Sequence, residues 1–408
     1  MQKIMANMGR MVMIMVISLC TYSCVDPFVI ESDVFESSVV IEGTITDQNE
    51  IQKILVSQTF PLDTVLMSGV GGAKVSVLDS NGGAYQFNQK EIGVYTSNAP
   101  FAAVPGLTYS LRVETSDGKV YVSDETQVPA STTLDNLYAE RGLKDDTVDG
   151  MFIYVDSYDP SGQSKYYRYE YEETYKIIAP YWSPADLKVI SGLPIPEFEI
   201  VARDQEEQIC YGTQVSNGII LETTTEYNED RVSKFPVRFI DRNNYILSHR
   251  YSILVKQYVQ TRAAYAYYET LESLSGSESL FSQLQTGFLE GNIHSQSDKG
   301  ENVIGFFQVS TVSEKRLFFN FNDFFPGERL PDYVVDCTLV APIVVDEGGG
   351  SPLLNAMEFD LIRFYEEYDT ANNPLNFGSY GPYLMVATPC GDCTAIGSNV
   401  VPDFWIED

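Results

Sequence analysis

The chain has 408 residues, of which 44% are hydrophobic and 12% aromatic, so it is long enough for two domains with substantial cores and is not intrinsically disordered. Its 57 acidic residues outnumber 26 Lys and Arg, which gives a formal net charge of −31. This charge would repel phosphates and excludes nucleic acid as a partner. Because the acids are spread along the chain, they are typical of a solvated surface.

The first 23 residues have the pattern of an export signal. Lys3 and Arg10 precede or flank the apolar run 11–17, which is too short for the roughly 20 apolar residues of a membrane-spanning helix. Ser23 places a small residue directly before Cys24, as in signals whose cysteine is acylated. We therefore predict a lipoprotein signal and a lipid anchor, palmitate included, on Cys24. A cleaved secretory protein with an incidental cysteine is the alternative.

Residues 24–37 are acidic and lack periodicity, which predicts a tether. Over residues 38–128, short alternating stretches between turn residues indicate strands, and the pattern is clear from Thr108 to Glu114, where every second residue is apolar. Seven strands in this length predict an immunoglobulin-like or transthyretin-like β-sandwich. The predicted strands are Val39 to Thr46, Ile54 to Thr59, Ala73 to Leu78, Ala84 to Phe87, Gly93 to Thr96, Thr108 to Glu114 and Val120 to Ser123.

A polar, proline-marked linker at 128–133 precedes a larger β-rich domain, predicted over 134–408 with one or a few helices. Thr261 is a suitable N-cap for a helix that extends to Ser275. Its apolar stripe includes Tyr267 and Tyr268, and such a stripe more often packs in a core than serves as a carbohydrate or peptide platform. The predicted strands are Met151 to Tyr158, Tyr166 to Ile178, Gly218 to Thr225, Phe235 to Ile240, Tyr251 to Val259, Asn302 to Val312 and Arg316 to Phe321.

Apart from Cys20 in the signal and Cys24 at the lipidation site, four cysteines remain, namely Cys210, Cys337, Cys390 and Cys393. An even number in an oxidising compartment predicts two disulfides, for which three connectivities are possible. A Cys390–Cys393 bridge would close a very small loop, whereas pairing this tail with Cys210 and Cys337 would fasten the C-terminus to the body of the domain. The Cys-Gly-Asp-Cys motif also leaves a zinc half-site or a redox dithiol open, but the residues after it look like a loop rather than a helix.

Five segments of the chain together carry a family likeness: Ser23 to Phe28, Val39 to Gly43, Arg250 to Tyr258, Gly291 to His294 with Val303 to Phe307, and Cys390 to Cys393 with Pro402 to Trp405. They resemble the domain-of-unknown-function 4249 family of Bacteroidota outer-membrane lipoproteins. The resemblance covers nearly the whole mature chain. It implies an outer-membrane lipoprotein that faces the exterior and works with a TonB-dependent barrel. Asp26, Glu31 and Asp33 resemble the acidic surface-export signal of such proteins.

Catalytic machinery is hard to place in this sequence, and we predict neither an enzyme nor a cofactor. His249 and His294 are the only histidines, and Asp298 is the acid close in sequence that would orient His294. Acidic doublets occur at Glu172 and Glu173, and again at 206–207 and 366–367. Adjacent residues on a strand point to opposite faces, so these doublets do not converge on a substrate.

The sequence therefore predicts a non-enzymatic accessory or ligand-binding partner of a TonB-dependent transporter, whose ligand would be a nutrient such as a peptide or a glycan. A structural subunit of an outer-membrane assembly or secretion complex is the main alternative. A hydrolase of unrecognised type is a minor one.

Overall fold

The computed structural model describes residues 37–60, 68–275, 289, 291–368 and 381–407. The predicted signal, Cys24 and all of the tether except Ser37 lie outside these residues. The described fold is mainly β, as predicted from the sequence. No helix of the described ranges is long and apolar enough to cross a membrane.

The first region contains all seven predicted strands and two further short ones. The strands are β1 (Val39–Thr46), β2 (Lys53–Gln58), β3 (Ser68–Gly69), β4 (Lys74–Asp79), β5 (Ala84–Glu91), β6 (Val94–Ser97), β7 (Thr108–Glu114), β8 (Val120–Ser123) and β9 (Thr126–Gln127). They form one path in the order β1-β2-β6-β5-β4-β7-β8, which curves round a first core. Tyr109, Leu111 and Val113 are buried in this core, because alternate side chains of a strand point to the same face.

Later parts of the chain complete this first sheet. β19 (Ile293–Ser295) pairs antiparallel with β8, while β20 (Val303–Ile304) and β21 (Phe307–Asn320) pair in parallel with β1. The predicted boundary at 128–134 therefore separates two cores but not two independent stretches of chain. These later strands cover β1 and β8, which would otherwise be open sheet edges.

Asn292, directly before β19, connects this end of the sheet to β21. Its side-chain amide forms the two hydrogen bonds that a neighbouring strand would form with the backbone of Phe307. Its Nδ2 donates to the carbonyl of Phe307 at 2.7 Å, and its Oδ1 accepts from the amide of Phe307 at 2.9 Å. Gly305 has φ +112° and lies so close to β1 that a Cβ would come within 1.9 Å of the carbonyl oxygen of Ile41. Only glycine fits this backbone, so the strand predicted over 302–312 breaks here.

β21 then continues without interruption to Asn320, where the sequence predicted two separate strands. Residues 307–310 pair with β1, and residues 311–320 pair with β18 (Arg250–Val259). One strand therefore belongs to both halves of the molecule.

The second region is a sandwich of two sheets. One sheet has the order β15-β12-β18-β21, with β16 at its side, and the other has the order β10-β11-β17. Tyr167, Tyr169, Tyr251 and Ile253 fill the second core from the first of these sheets, and Met151, Ile153 and Val155 fill it from the other. The strands are β10 (Leu134–Lys144), β11 (Val148–Tyr158), β12 (Tyr166–Ile178), β15 (Ile209–Val215), β16 (Ile220–Thr223) and β17 (Arg231–Asp241).

Helix α1 (Arg262–Ser275) has the predicted bounds to within one residue. Thr261 Oγ1 accepts a hydrogen bond from the amide of Ala264 at 3.2 Å, which is the predicted N-cap. Ala264 and Tyr267 pack on Phe306, and the Tyr267 and Phe306 rings lie 5.0 Å apart. The tyrosine stripe of this helix is therefore packing surface.

A C-terminal lobe, formed by the described parts of 185–202 and 330–407, lies beside the second sandwich. It has a small core of Leu187, Leu353, Phe364 and Met385. Its strands are β13 (Ala185–Ser191), β14 (Glu197–Ala202), β22 (Ile362–Glu367) and β23 (Tyr383–Ala387). Its helices are α3 (Pro352–Glu358) and α4 (Thr388–Gly391), and a short α2 (Phe321–Phe324) precedes it.

Candidate functional site

The four cysteines that follow Cys24 in the chain form disulfides that cross-link the C-terminal lobe. Cys210 of β15 pairs with Cys393, and Cys337 pairs with Cys390 of α4. The tail is thus fastened to distant partners, which the sequence favoured over a bond between Cys390 and Cys393. Because every one of these sulfurs is bonded, none is free to bind zinc or to act as a dithiol. The segment after Cys393 begins with a 3₁₀ turn over Cys393–Ala395 and then continues as the expected loop.

The residue between the paired cysteines has a structural role that the sequence did not indicate. Asp392 is 5% exposed, and its Oδ1 accepts from the amide of Thr394 at 2.9 Å. Arg363 Nε donates to the other oxygen of Asp392 at 3.3 Å and also pairs with Asp360. These ion pairs line a cavity of about 310 Å³ at the base of the β13–β14 hairpin. The aspartate of the motif therefore ties the cysteine turn to β22.

The histidine candidate contacts a different acid from the one that the sequence suggested. His294 Nε2 is 3.3 Å from Asp124 Oδ1, and both side chains are exposed. Asp298 caps its own turn, because its Oδ1 accepts from the amide of Gly300 at 2.9 Å. An exposed pair of this kind contributes little energy, and the arrangement positions no nucleophile.

A cavity of about 510 Å³ is lined by the other histidine, His249. Burial, followed by the neighbouring charge of Lys176, lowers the pKa of His249. Lys176 Nζ lies 3.1 Å and 3.2 Å from the two carboxylate oxygens of Glu407. Arg250 Nε donates to the carbonyl of Ile406 at 2.5 Å. Lys176 and Arg250 of this cavity therefore bind the C-terminal tail.

The acidic doublet of β12 divides between two faces, as its spacing predicted. Glu173 is 1% exposed and accepts from Arg238 at 3.2 Å and 3.0 Å and from the hydroxyl of Tyr251 at 2.6 Å. Burial and then the charge of Glu173 raise the pKa of Tyr251 well above its usual value. Glu172 points outward and pairs with Arg316 at 3.3 Å. Glu173 therefore joins the two sheets of the sandwich and faces no cleft.

The clearest unexplained surface is the β13–β14 hairpin. Its tip, residues 189–196, contains no charged residue and exposes Ile190 by 51%, Leu193 by 57% and Ile195 by 72%. At its base, Leu187 is buried in the core of the lobe, and the rings of Phe198 and Tyr383 lie 6.1 Å apart. A rigidly held apolar projection of this kind is typical of a protein-docking element. Sequence reasoning missed the hairpin, although its charge-free run with two prolines was a visible signal.

This architecture defines a mainly β protein with two connected β cores and a disulfide-linked lobe. The chain belongs to the family described as domain of unknown function (DUF4249), whose model matches residues 25–316. The match ends within β21, so it includes the hairpin and Cys210 but not the other three disulfide cysteines. Among curated proteins, none matches the chain.

Two solved structures align weakly. A DUF4785 family protein from Legionella pneumophila aligns with 8% identity and a TM-score of 0.15, over 48% of this chain and 54% of that one. The adhesin InvE of Yersinia pseudotuberculosis aligns with 11% identity and a TM-score of 0.15, over 85% of this chain and 72% of that one. At these TM-scores, neither likeness carries an argument.

Proposed function

We propose that this protein is a non-enzymatic lipoprotein, anchored through Cys24 in the outer membrane and facing the exterior, where it acts as the accessory or ligand-binding partner of a TonB-dependent transporter. The observation that carries the proposal is the apolar tip of the β13–β14 hairpin. A protein with a net charge of −31 gains nothing from exposing Leu193 and Ile195 to water. Both side chains are suited to a pocket on a partner, where anchors of this kind contribute most of the binding energy.

The position of the hairpin supports docking rather than a loose adhesive role. β13 is fixed at its base through Leu187, and the lobe is cross-linked to the second sandwich by the Cys210–Cys393 bond. A tip held in this way loses little conformational entropy when it binds. The prolines at 194 and 196 restrict the backbone of the tip further.

Co-purification tests the proposal. The full chain is expressed with an affinity tag in its native bacterium, the membranes are solubilised in mild detergent, and the proteins that follow the tag are identified by mass spectrometry. We expect a barrel receptor. Replacing two apolar side chains that the partner would bury by Asp costs about 1.4 kcal/mol or more of binding free energy, which is at least about tenfold in affinity. The variant Leu193→Asp/Ile195→Asp should therefore lose the receptor.

The chain offers a matched control for this variant. Leu143 is 57% exposed and Ile92 is 71% exposed, which equals the exposure of Leu193 and nearly that of Ile195, and both lie outside the lobe. Leu143→Asp/Ile92→Asp should retain the receptor. Wild-type protein without any barrel in the eluate would remove the transporter partnership. Equal recovery by both variants would remove the hairpin as the docking element.

The alternative, a structural subunit of an outer-membrane assembly or secretion complex, is supported by the same hairpin, because its chemistry suits any apolar groove. Capture of non-transporter assembly components by wild-type protein, with loss in the hairpin variant, would favour it.

A further inference from the structure

A row of four aromatic rings crosses the outer face of the β10-β11-β17 sheet. Tyr138 lies opposite Tyr154 in the register of β10 and β11, and Phe152 lies opposite Phe239 in the register of β11 and β17. The ring centroids are 5.7 Å apart from Tyr138 to Tyr154, 5.5 Å from Tyr154 to Phe152 and 4.7 Å from Phe152 to Phe239. The rings therefore form one continuous diagonal, which we name the aromatic row.

The aromatic row is not part of a core. Met151, Ile153 and Val155 alternate with Phe152 and Tyr154 along β11, and these three are buried in the second core. The four rings of the row are half-buried and belong to none of the buried clusters of the described residues. They pack on one another, so the sheet has its apolar core on one face and a second apolar surface on the face that is open to solvent.

Two glycines lie beneath the rings. A Cβ on Gly142 would stand 3.3 Å from two ring atoms of Phe152, and a Cβ on Gly150 would stand 2.6 Å and 2.8 Å from two ring atoms of Phe239. The rings of Phe152 and Phe239 thus each occupy the space above a glycine of the neighbouring strand. A ring that covers the backbone in this way turns its other side outward, where a ligand can stack on it.

The polar groups around the row balance in charge. Asp156 accepts from the hydroxyl of Tyr138 at 3.3 Å and from Asn136 at 3.4 Å. Lys234 pairs with Glu140 and lies 5.0 Å from the ring centroid of Tyr154. Lys144 Nζ lies 5.5 Å from the ring centroid of Phe239, so two lysines face two carboxylates around the row. A locally balanced surface on a chain with net charge −31 favours a neutral ligand over an anionic or cationic one.

We propose that the aromatic row binds neutral glycan chains. The C–H faces of successive sugar rings stack on Tyr138, Tyr154 and Phe152, while their hydroxyls hydrogen-bond to the carboxylate of Asp156 and the amide of Asn136. A row about three ring spacings long suits an extended oligosaccharide better than a monosaccharide. This inference rests on the proposed function only in that the protein faces a medium containing glycans, and it names the ligand class that the proposed function left open.

Affinity electrophoresis of the purified full chain in native gels tests the site, with xyloglucan, amylopectin, dextran or mannan cast into the gel. We expect at least one polysaccharide to retard the wild-type protein. The variant Phe152→Ala/Tyr154→Ala should weaken that retardation at least about tenfold, since two stacking surfaces are lost. Tyr154→Phe keeps the ring and should retain most of the binding. Melting curves verify that each variant is folded.

The matched control changes the outer face of the opposite sheet. Lys256 and Glu314 form a pair there at 3.7 Å, and Lys256→Ala/Glu314→Ala should leave the retardation unchanged. The site is refuted if no polysaccharide retards the wild-type protein, or if the double aromatic variant is retarded as strongly as wild type. Competition by a casein digest but not by oligosaccharides would identify a peptide site and overturn the assignment. None of these outcomes depends on whether a barrel receptor co-purifies.

Discussion

The second sandwich and the C-terminal lobe are stabilised by different means. The sandwich buries a large core and joins its sheets through Glu173 and Arg238. The lobe has four fully buried core residues in its main cluster and two disulfides, and it exposes the apolar tip of the hairpin. The difference indicates that the sandwich is stabilised mainly by its own core, whereas the order of the lobe depends on its covalent links.

Loss of the longer disulfide is expected to have the largest effect. The Cys210–Cys393 bond spans 183 residues, so Cys210→Ser/Cys393→Ser should cost the lobe about 5 kcal/mol in the chain-entropy model. Limited proteolysis with mass spectrometry should show new cleavage in the lobe while the sandwich strands stay protected. The Cys337–Cys390 bond spans 53 residues, and its double serine variant should cost about 4 kcal/mol. Simultaneous cleavage of sandwich and lobe would contradict the comparison.

The buried ion pair tests the sandwich side. Arg238→Met would leave the carboxylate of Glu173 buried without its cation, which should lower the free energy of unfolding by about 3–5 kcal/mol. Urea denaturation measures this value. Lys256→Met removes one partner of the exposed pair with Glu314 and should cost less than about 1 kcal/mol. Similar costs for the two variants would show that Glu173 is not held in the way described.

A pH titration examines a loop of the sandwich that is held without a disulfide. Burial raises the pKa of Asp159, but hydrogen bonds from the Ser161 hydroxyl and from the amides of Ser161, Ser164 and Gln163 outweigh it and hold this pKa at about 2. The folded pKa is below the unfolded one, so its stabilisation, of the order of 2 kcal/mol, is complete above the unfolded pKa and is lost as the pH falls towards 2. Urea denaturation at pH 5, 4, 3 and 2 should show that the wild-type protein loses this part of its free energy of unfolding, whereas the Asp159→Asn variant does not. Parallel curves for the two proteins would refute this role.

The smallest expected effect concerns the N-cap of α1. Thr261→Ala removes the acceptor for the amide of Ala264 and should cost about 1 kcal/mol, while Thr261→Ser should cost much less. Thermal melting resolves such a difference. An equal cost for the two variants would indicate that the methyl group, rather than the hydroxyl, stabilises the helix.

Local patterns predicted the strands of the first region and the helix, because alternation and capping act within a few residues. Contacts between residues far apart in the sequence could not be predicted from these patterns. The contact of His294 with Asp124 and the parallel pairing of β1 with β21 join residues far apart in sequence. For the four cysteines, the sequence likewise allowed three disulfide connectivities and could not assign one of them.

Several strands were missed for a different reason, and β10 and β13 are examples. β10 carries Arg141, Glu140 and Lys144, and its burial does not alternate over most of its length, so it lacks the signature of a strand. β13 buries only Leu187 completely and exposes the residues that follow it. The aromatic row was missed with β10, since its rings come together only when three strands are aligned. Functional surfaces on the outer face of a sheet are the part of a fold that hydrophobic periodicity describes least well.

The strand shared by the two halves has a consequence for the order of folding during synthesis. The ribosome must release residues 293–310 before β8 and β1 acquire their final neighbours, although both strands lie within the first 123 residues. The N-terminal strands therefore remain incompletely paired until most of the chain has been made. During that time their unpaired edges are prone to aggregation. The first core is then completed in the same late step in which the strands of the second core reach their final register.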